Sequence, residues 1–216
     1  MIEVKGVSKQ FKNETAIHYG DLVFETGKKY MLLGASGCGK STLLNMIAGI
    51  LSPDTGEILM DGAAMNQKSQ QEKDRFRIDR IGYIYQDFKL LEDMTVADNI
   101  ELLRLEHVDV SQMDALLKSL DIYSQRNKKV RNLSGGQKQR VAIVRALVKK
   151  PEIILADEPT GNLNYEIGRQ VVEELWRASE GKTLIAVTHD ERLAAYFDVV
   201  LDMNQVTSQK GGDAAC

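Results

Sequence analysis

At 216 residues the chain is one domain's worth, or one domain with an inserted subdomain, and is long enough to bury a sizeable core. Its 43% apolar and 27% charged residues are ordinary for a globular protein, and a formal net charge of -3 excludes the strongly basic field that holds nucleic acid in bulk. The start, MIEVKGVSKQF, has no apolar run after its positive charges and does not read as a secretory signal; stretches such as YMLLGA and LLNMIAGIL fall well short of the roughly 20 apolar residues of a bilayer crossing. Any transport role therefore calls for a separate membrane subunit. The two cysteines, Cys38 and Cys216, lack metal-type spacing and fit a reducing, cytosolic setting.

In chain order, the first part reads as short β-runs: IEVKGV, DLVFE and KYMLLGA. The last runs into a glycine loop and a helix, KSTLLNMIAGIL, which stops at the turn SPDTG. Strand EILMDG, a polar helical stretch near residues 67–79 and strand IGYIYQ follow. Helical periodicity then dominates residues 87–150, in TVADNIELLRL, MDALLKSL and QKQRVAIVRALVKK. Strand IILAD, helix YEIGRQVVEELWRAS, strand TLIAVTH and strand DVVLD complete the series.

Strands alternating with helices predict an α/β fold with a mostly parallel sheet and covered faces. The helical block is then an insertion between two strands of one core. One domain is expected over residues 1–207, with its core at about 1–86 and 151–207 and a helical subdomain at about 87–150. Residues 208–216, SQKGGDAAC, read as a disordered or appended tail.

Residues 34–41, GASGCGKS, satisfy G-x-x-x-x-G-K-[ST] between a strand and a helix. The glycines let backbone N–H groups turn inward on phosphate oxygens, and the helix start adds its positive dipole end. Lys40 would reach the β- and γ-phosphates, and Ser41 would ligate Mg²⁺. The candidate nucleotide residues here are Gly34, Ala35, Ser36, Gly37, Cys38, Gly39, Lys40, Ser41 and Thr42. A disulfide to Cys216 is not expected, because Cys38 sits inside this loop.

IILADEP is an apolar strand ending in two acids. Alone, they would read as solvated carboxylates; beside a phosphate loop, Asp157 reads as the Mg²⁺ partner and Glu158 as the base that activates an attacking water. LSGGQ, comprising Leu133, Ser134, Gly135, Gly136 and Gln137, opens another helix and makes a second anion site from a hydroxyl, N–H groups and a dipole. One nucleotide does not easily occupy two such sites, so the economical reading gives the second site to the nucleotide of a partner molecule.

The ordered set GASGCGKST, Gln86 in IGYIYQDF, LSGGQKQRVAIVRAL, ILADEPTGN and His189 in VTHD closely resembles the ABC ATPase family over nearly the whole chain. The resemblance implies a P-loop NTPase core, an N-terminal antiparallel β portion and an inserted helical subdomain carrying the signature. It implies ATP and Mg²⁺ as ligands and a homodimer closed on ATP. Phe11 matches the aromatic that stacks on adenine, Gln86 the residue that joins the Mg²⁺ and water site, and His189 the switch histidine at the γ-phosphate.

ILADEPTGNL with the signature also looks like the group serving macrolide and peptide efflux, lipoprotein release and cell division, whose partners are membrane permeases. In that group the position of Asn164 usually carries Asp, which helps couple the two ATP sites; Asn keeps the size and one acceptor but loses the charge. A non-transport role at the membrane and an importer role are the alternatives. The implied place is the cytoplasmic face of the cell membrane, with no nucleic-acid partner. Phe88, Leu90 and Leu91, just after Gln86, are expected to receive a permease helix.

Overall fold

The computed structural model describes residues 1–12, 14–161 and 163–209. Strands β1 (Ile2–Lys9), β2 (Ile17–Tyr19), β3 (Leu22–Phe24), β4 (Lys29–Leu33), β5 (Thr55–Met60), β6 (Ala63–Ala64), β7 (Ile81–Ile84), β8 (Ile153–Asp157), β9 (Thr183–Thr188), β10 (Val199–Asp202) and β11 (Thr207–Gln209) form two sheets. In chain order the strands are linked through helices α1 (Lys40–Ile47), α2 (Gln70–Arg80), α3 (Val96–Glu101), α4 (Met113–Ser119), α5 (Gly135–Leu147), α6 (Tyr165–Ala178) and α7 (Met203–Val206), with short 3₁₀ turns.

The larger-core sheet is wholly parallel, in the order β10-β4-β9-β8-β7. Its central strands are continuous apolar runs because both faces are covered, and the period of two divides them cleanly. Ile153, Leu155, Ile185 and Val187 face α1 and the antiparallel sheet. Ile154, Ala156, Leu184 and Ala186 face a second cluster built with the helical block, including Val141, Val144 and Val148. The helical block thus shares its core with one face of the sheet, and α5 cements the two together. Gly82 on β7 marks the closeness of the fit, since a Cβ there would stand 2.8 Å from the Ala146 carbonyl oxygen.

β7 and β8 are direct parallel neighbours, Ile81 opposite Ile153, so residues 85–152 run out from and back to adjacent strands of one sheet. The antiparallel sheet has the order β11-β2-β1-β5-β6, with β3 also on β1. It draws on more of the chain than the N-terminal part alone: β5, β6 and β11 all join it. The β1–β5 ladder shifts register between Lys5 and Ser8, where Gly56 (φ 72°) lies so close to the opposite backbone that a Cβ would stand 2.3 Å from the carbonyl oxygens of Lys5 and Gly6.

Two sequence boundaries shift. The polar helix starts at Gln70, where Ser69 and Glu72 make a reciprocal capping box. Ser208 and Gln209, assigned to the tail, belong to β11 and pair with β2; residues 210–216 lie outside the described residues. Among the described residues no helix is long and apolar enough to cross a membrane.

Candidate active site

Strand register assembles the site. Leu33 pairs with Thr188, Asp157 with Val187 and Ile84 with Ala156, so four neighbouring strands end together. The residues that follow are Gly34, His189, Glu158 and, two beyond β7, Gln86. This is the carboxyl edge at which open α/β sheets place their ligands.

The loop before α1 turns on Gly37 (φ 85°) and Gly39 (φ 95°). Gly39 is tightly enclosed: the buried Tyr19 hydroxyl donates to its carbonyl at 2.9 Å, and a Cβ would approach that hydroxyl to 2.6 Å. Cys38 is buried, and a Cβ on Gly34 would meet its Sγ at 2.9 Å and Met203 Cβ at 3.0 Å, so the thiol faces inward. Ala35, Ser36 and Gly37 are exposed, whereas Lys40 is buried, with Ser41 and Thr42 partly so. The Lys40 amine donates to the carbonyls of Gly34 (2.6 Å) and Ala35 (2.8 Å) and stands 3.8 Å from Glu158 Oε1.

Ser41 Oγ donates to Asp157 Oδ1 at 2.7 Å. Burial pushes the Asp157 carboxyl above its ordinary range; the Ser41 hydrogen bond opposes this, the neighbouring Glu158 charge adds to it, and Lys40 acts against it. Glu158 turns out of the strand in the left-handed region (φ 43°), a conformation that costs a non-glycine residue of order 1 kcal/mol or more. Its N–H donates to the Val187 carbonyl at 3.0 Å, and its Oε2 lies 3.0 Å from His189 Nδ1. The result is a largely buried carboxylate held between an ammonium and an exposed imidazole.

Phe11, Ser36, Lys40, Gln86, Glu158 and His189 line one cavity of about 380 Å³, within the size range of small-ligand sites. Phe11 stands at its rim, 37% exposed. Gln86 is exposed and closes the far side near Gly161. Leu133, Ser134, Gly135, Gly136 and Gln137 do not line this cavity; one chain does not bring its two anion sites together. Leu133 is buried as an anchor, and Ser134 with Gln137 makes a reciprocal capping box at the start of α5. Gly136 lies against α6, where a Cβ would stand 2.8 Å from Ile167 Cγ2.

Asn164 has a local duty that its motif position does not reveal: its Oδ1 accepts from the Ile167 N–H at 3.0 Å and caps α6. With Gly161 and His189 it borders a smaller cavity of about 110 Å³. Tyr19 is the site residue that sequence reasoning misses, since a tyrosine in a three-residue strand carries no motif.

A groove of about 630 Å³ opens between α2, β7 and the helical block. Tyr85, Lys89 and Leu91 line it, while Gln86 lines the phosphate cavity, so one short segment borders both spaces. Of the residues expected at a docking surface, Leu91 is exposed in the groove; Leu90 instead packs against the helical-block core, and Phe88 is half-buried.

The family model described as ABC transporter matches residues 18–161. An uncharacterized ABC transporter ATP-binding protein of Mycobacterium tuberculosis is 42% identical over 83% of this chain and 75% of its own length. The lipoprotein-releasing system ATP-binding protein LolD of Psychrobacter arcticus is 39% identical over 82% of each. The ATP-binding cassette MJ0796, solved as a dimer in a post-hydrolysis state bound to ADP and Pi, superposes with a TM-score of 0.84 at 33% identity, covering 98% of this chain and 100% of the other.

Proposed function

The chain belongs to the ABC transporter family as an ATP-binding, ATP-hydrolysing subunit, and from that premise we propose that two copies close on two ATPs and drive a separate membrane permease. The observation that carries the chemistry is the Glu158 carboxylate between Lys40 and His189, beside the Ser41–Asp157 pair.

In this reading the loop N–H groups and the α1 dipole bind the phosphates, and Lys40 turns from the loop carbonyls to the β- and γ-phosphates. Glu158 accepts a proton from a water as its oxygen bonds to the γ-phosphorus; the bond from that phosphorus to the bridging oxygen breaks, giving ADP and phosphate. His189 orders Glu158 and contacts the γ-phosphate, and Phe11 stacks on adenine. Gly34 to Thr42 form the nucleotide cradle.

Beside the phosphate loop, one hydroxyl and one carboxylate oxygen, Ser41 Oγ and Asp157 Oδ1, stand 2.7 Å apart. Such a sparse oxygen set fits Mg²⁺, which keeps several waters and takes one or two carboxylates with substrate phosphates. Ser41, Asp157 and Gln86 would hold it, and when bound it neutralises charge on the phosphate oxygens.

Ser134, Gly135, Gly136 and Gln137 would receive the γ-phosphate of the partner's ATP, which explains why the second anion site stands outside the first cavity. Asn164 would lie at the same closure. The chain would work at the cytoplasmic face of the membrane. The permease would dock in the 630 Å³ groove, because the segment from Tyr85 to Leu91 borders both groove and ATP site and so differs between open and closed dimers. The 39% identity to the lipoprotein-releasing ATP-binding protein supports an export or mechanotransmission role of the efflux and lipoprotein-release kind.

Phosphate release measured against chain concentration tests the dimer directly. It should rise faster than linearly in dilute protein. Constant specific activity from a monomer would refute it.

A further inference from the structure

The groove carries charge that its own walls do not neutralise. Arg145 lies on α5, and Lys149 stands four residues on, past the helix end; both point into the groove together with Arg77. Arg77 is engaged by Asp74. Among the described residues neither Arg145 nor Lys149 forms an ion pair. Lys149 donates to the Arg77 carbonyl at 2.8 Å, and Arg145 to the carbonyls of Phe88 and Lys89. Carbonyl oxygens satisfy donors but do not balance charge, and two partly buried cations held this way are costly.

The strain appears in their protonation. Burial, with repulsion from Arg77 and Arg145, pushes the Lys149 amine down to about 8, and burial also lowers Arg145. The acids facing this cluster are Asp74, held by Arg77, Asp79, held by Arg75 at 2.7 Å, and Glu106 across the groove. Around the cations the walls are apolar or aromatic: Tyr83, Tyr85, Leu91, Leu102 and Leu103.

We propose that the permease segment docking in this groove is a helix that lays apolar side chains on Leu91, Leu102 and Leu103 and inserts one Asp or Glu carboxylate between Lys149 and Arg145. The inference rests on the groove being the docking site. It adds the chemistry that selects the partner: an apolar helix without the acid leaves both cations unpaired in a now drier groove. It also adds a route to the ATP site. Phe88 and Lys89 sit consecutively in the left-handed region (φ 60° and 47°), two and three residues after Gln86, and Arg145 holds both their carbonyls. A carboxylate competing for that guanidinium acts on the backbone that carries Gln86.

The test uses the native membrane complex purified with its permease. A benzophenone attached at Leu91→Cys reports docking by photo-cross-linking to the permease. A water-soluble carbodiimide, which joins an amine to a carboxylate only when they touch, reports the acid in the unsubstituted complex by mass spectrometry. Lys149 should be found joined to an Asp or Glu of a cytoplasmic permease segment. Lys149→Met should weaken assembly at least tenfold, as for truncating one partner of a desolvated charge pair, with basal ATPase intact; Lys149→Arg should retain most of it. A Leu91 adduct without a Lys149–permease link, and with Lys149→Met assembling within about twofold of the parent, overturns the acid and leaves docking standing. Absence of a permease adduct at Leu91 overturns the docking reading and this inference with it.

Discussion

Replacing Glu158 by Gln isolates one proton acceptor. The shape is kept, and the left-handed backbone at this position (φ 43°) is no harder for Gln than for Glu. What disappears is the negative charge 3.8 Å from the Lys40 amine and the carboxylate acceptor 3.0 Å from His189 Nδ1. Lys40 retains its two loop carbonyls and Asp157 its Ser41 hydroxyl, so the fold and the nucleotide cradle should survive. Losing a general base typically costs about 10²- to 10⁴-fold in rate, or roughly 3–5 kcal/mol of barrier. ATP affinity should hold or improve, since one negative charge facing the γ-phosphate is gone. Rapid-quench single-turnover hydrolysis, at a chain concentration that saturates the rate, reads the chemical step. Turnover within about threefold of the parent, with Mg-ATP bound normally, would remove Glu158 from the role of base.

Phe11→Ala should weaken ATP about 2- to 12-fold, the affinity equivalent of an aromatic stack, with little change in melting temperature because the ring is already 37% exposed; calorimetric titration decides. Tyr19→Phe should lower stability by about 1 kcal/mol through the lost bond to the Gly39 carbonyl and loosen ATP binding, read by denaturant unfolding and titration. Lys149→Met should stabilise the isolated chain at pH 7 by up to about 3 kcal/mol. The sign follows from the amine lying near 8 in the fold against 10.5 when unfolded: the unfolded chain binds more protons between those values, so this group's contribution makes stability rise with pH there, and the substitution should flatten the rise in pH-dependent melts. Leu90→Ser should destabilise by about 2 kcal/mol where Leu91→Ser leaves folding nearly unchanged, because only Leu90 packs into the helical-block core.

Residues whose chemistry admits few alternatives were legible in the sequence. Asp157, Glu158 and His189 sit at or just past strand ends that the apolar runs announce, Lys40 opens the helix that follows β4 and its glycine loop, and parallel pairing brings those strand ends to one edge. Other features depend on packing between distant segments. Strands β2, β6 and β11 are two or three residues long, too short for an alternation to register. Lys149 and Lys150 look alike as neighbours in a polar pair, yet one is drawn into the groove and the other is exposed, because the α5 end and the start of β8 fix which side faces α2. The cap that Asn164 supplies to α6 lay hidden behind its motif position, although an Asn three residues ahead of an amide at a helix start is itself a capping signal.

The central claim is that two chains complete two ATP sites between them. Sedimentation of Glu158→Gln tests it most directly, since slowed turnover lets the ATP-bound state persist. The account predicts a monomer without nucleotide and with ADP, a dimer with ATP, and a return to monomer when Ser134→Arg is added to the same chain. A species that stays monomeric in saturating ATP, while the parent chain hydrolyses ATP at a rate independent of its concentration, would contradict it.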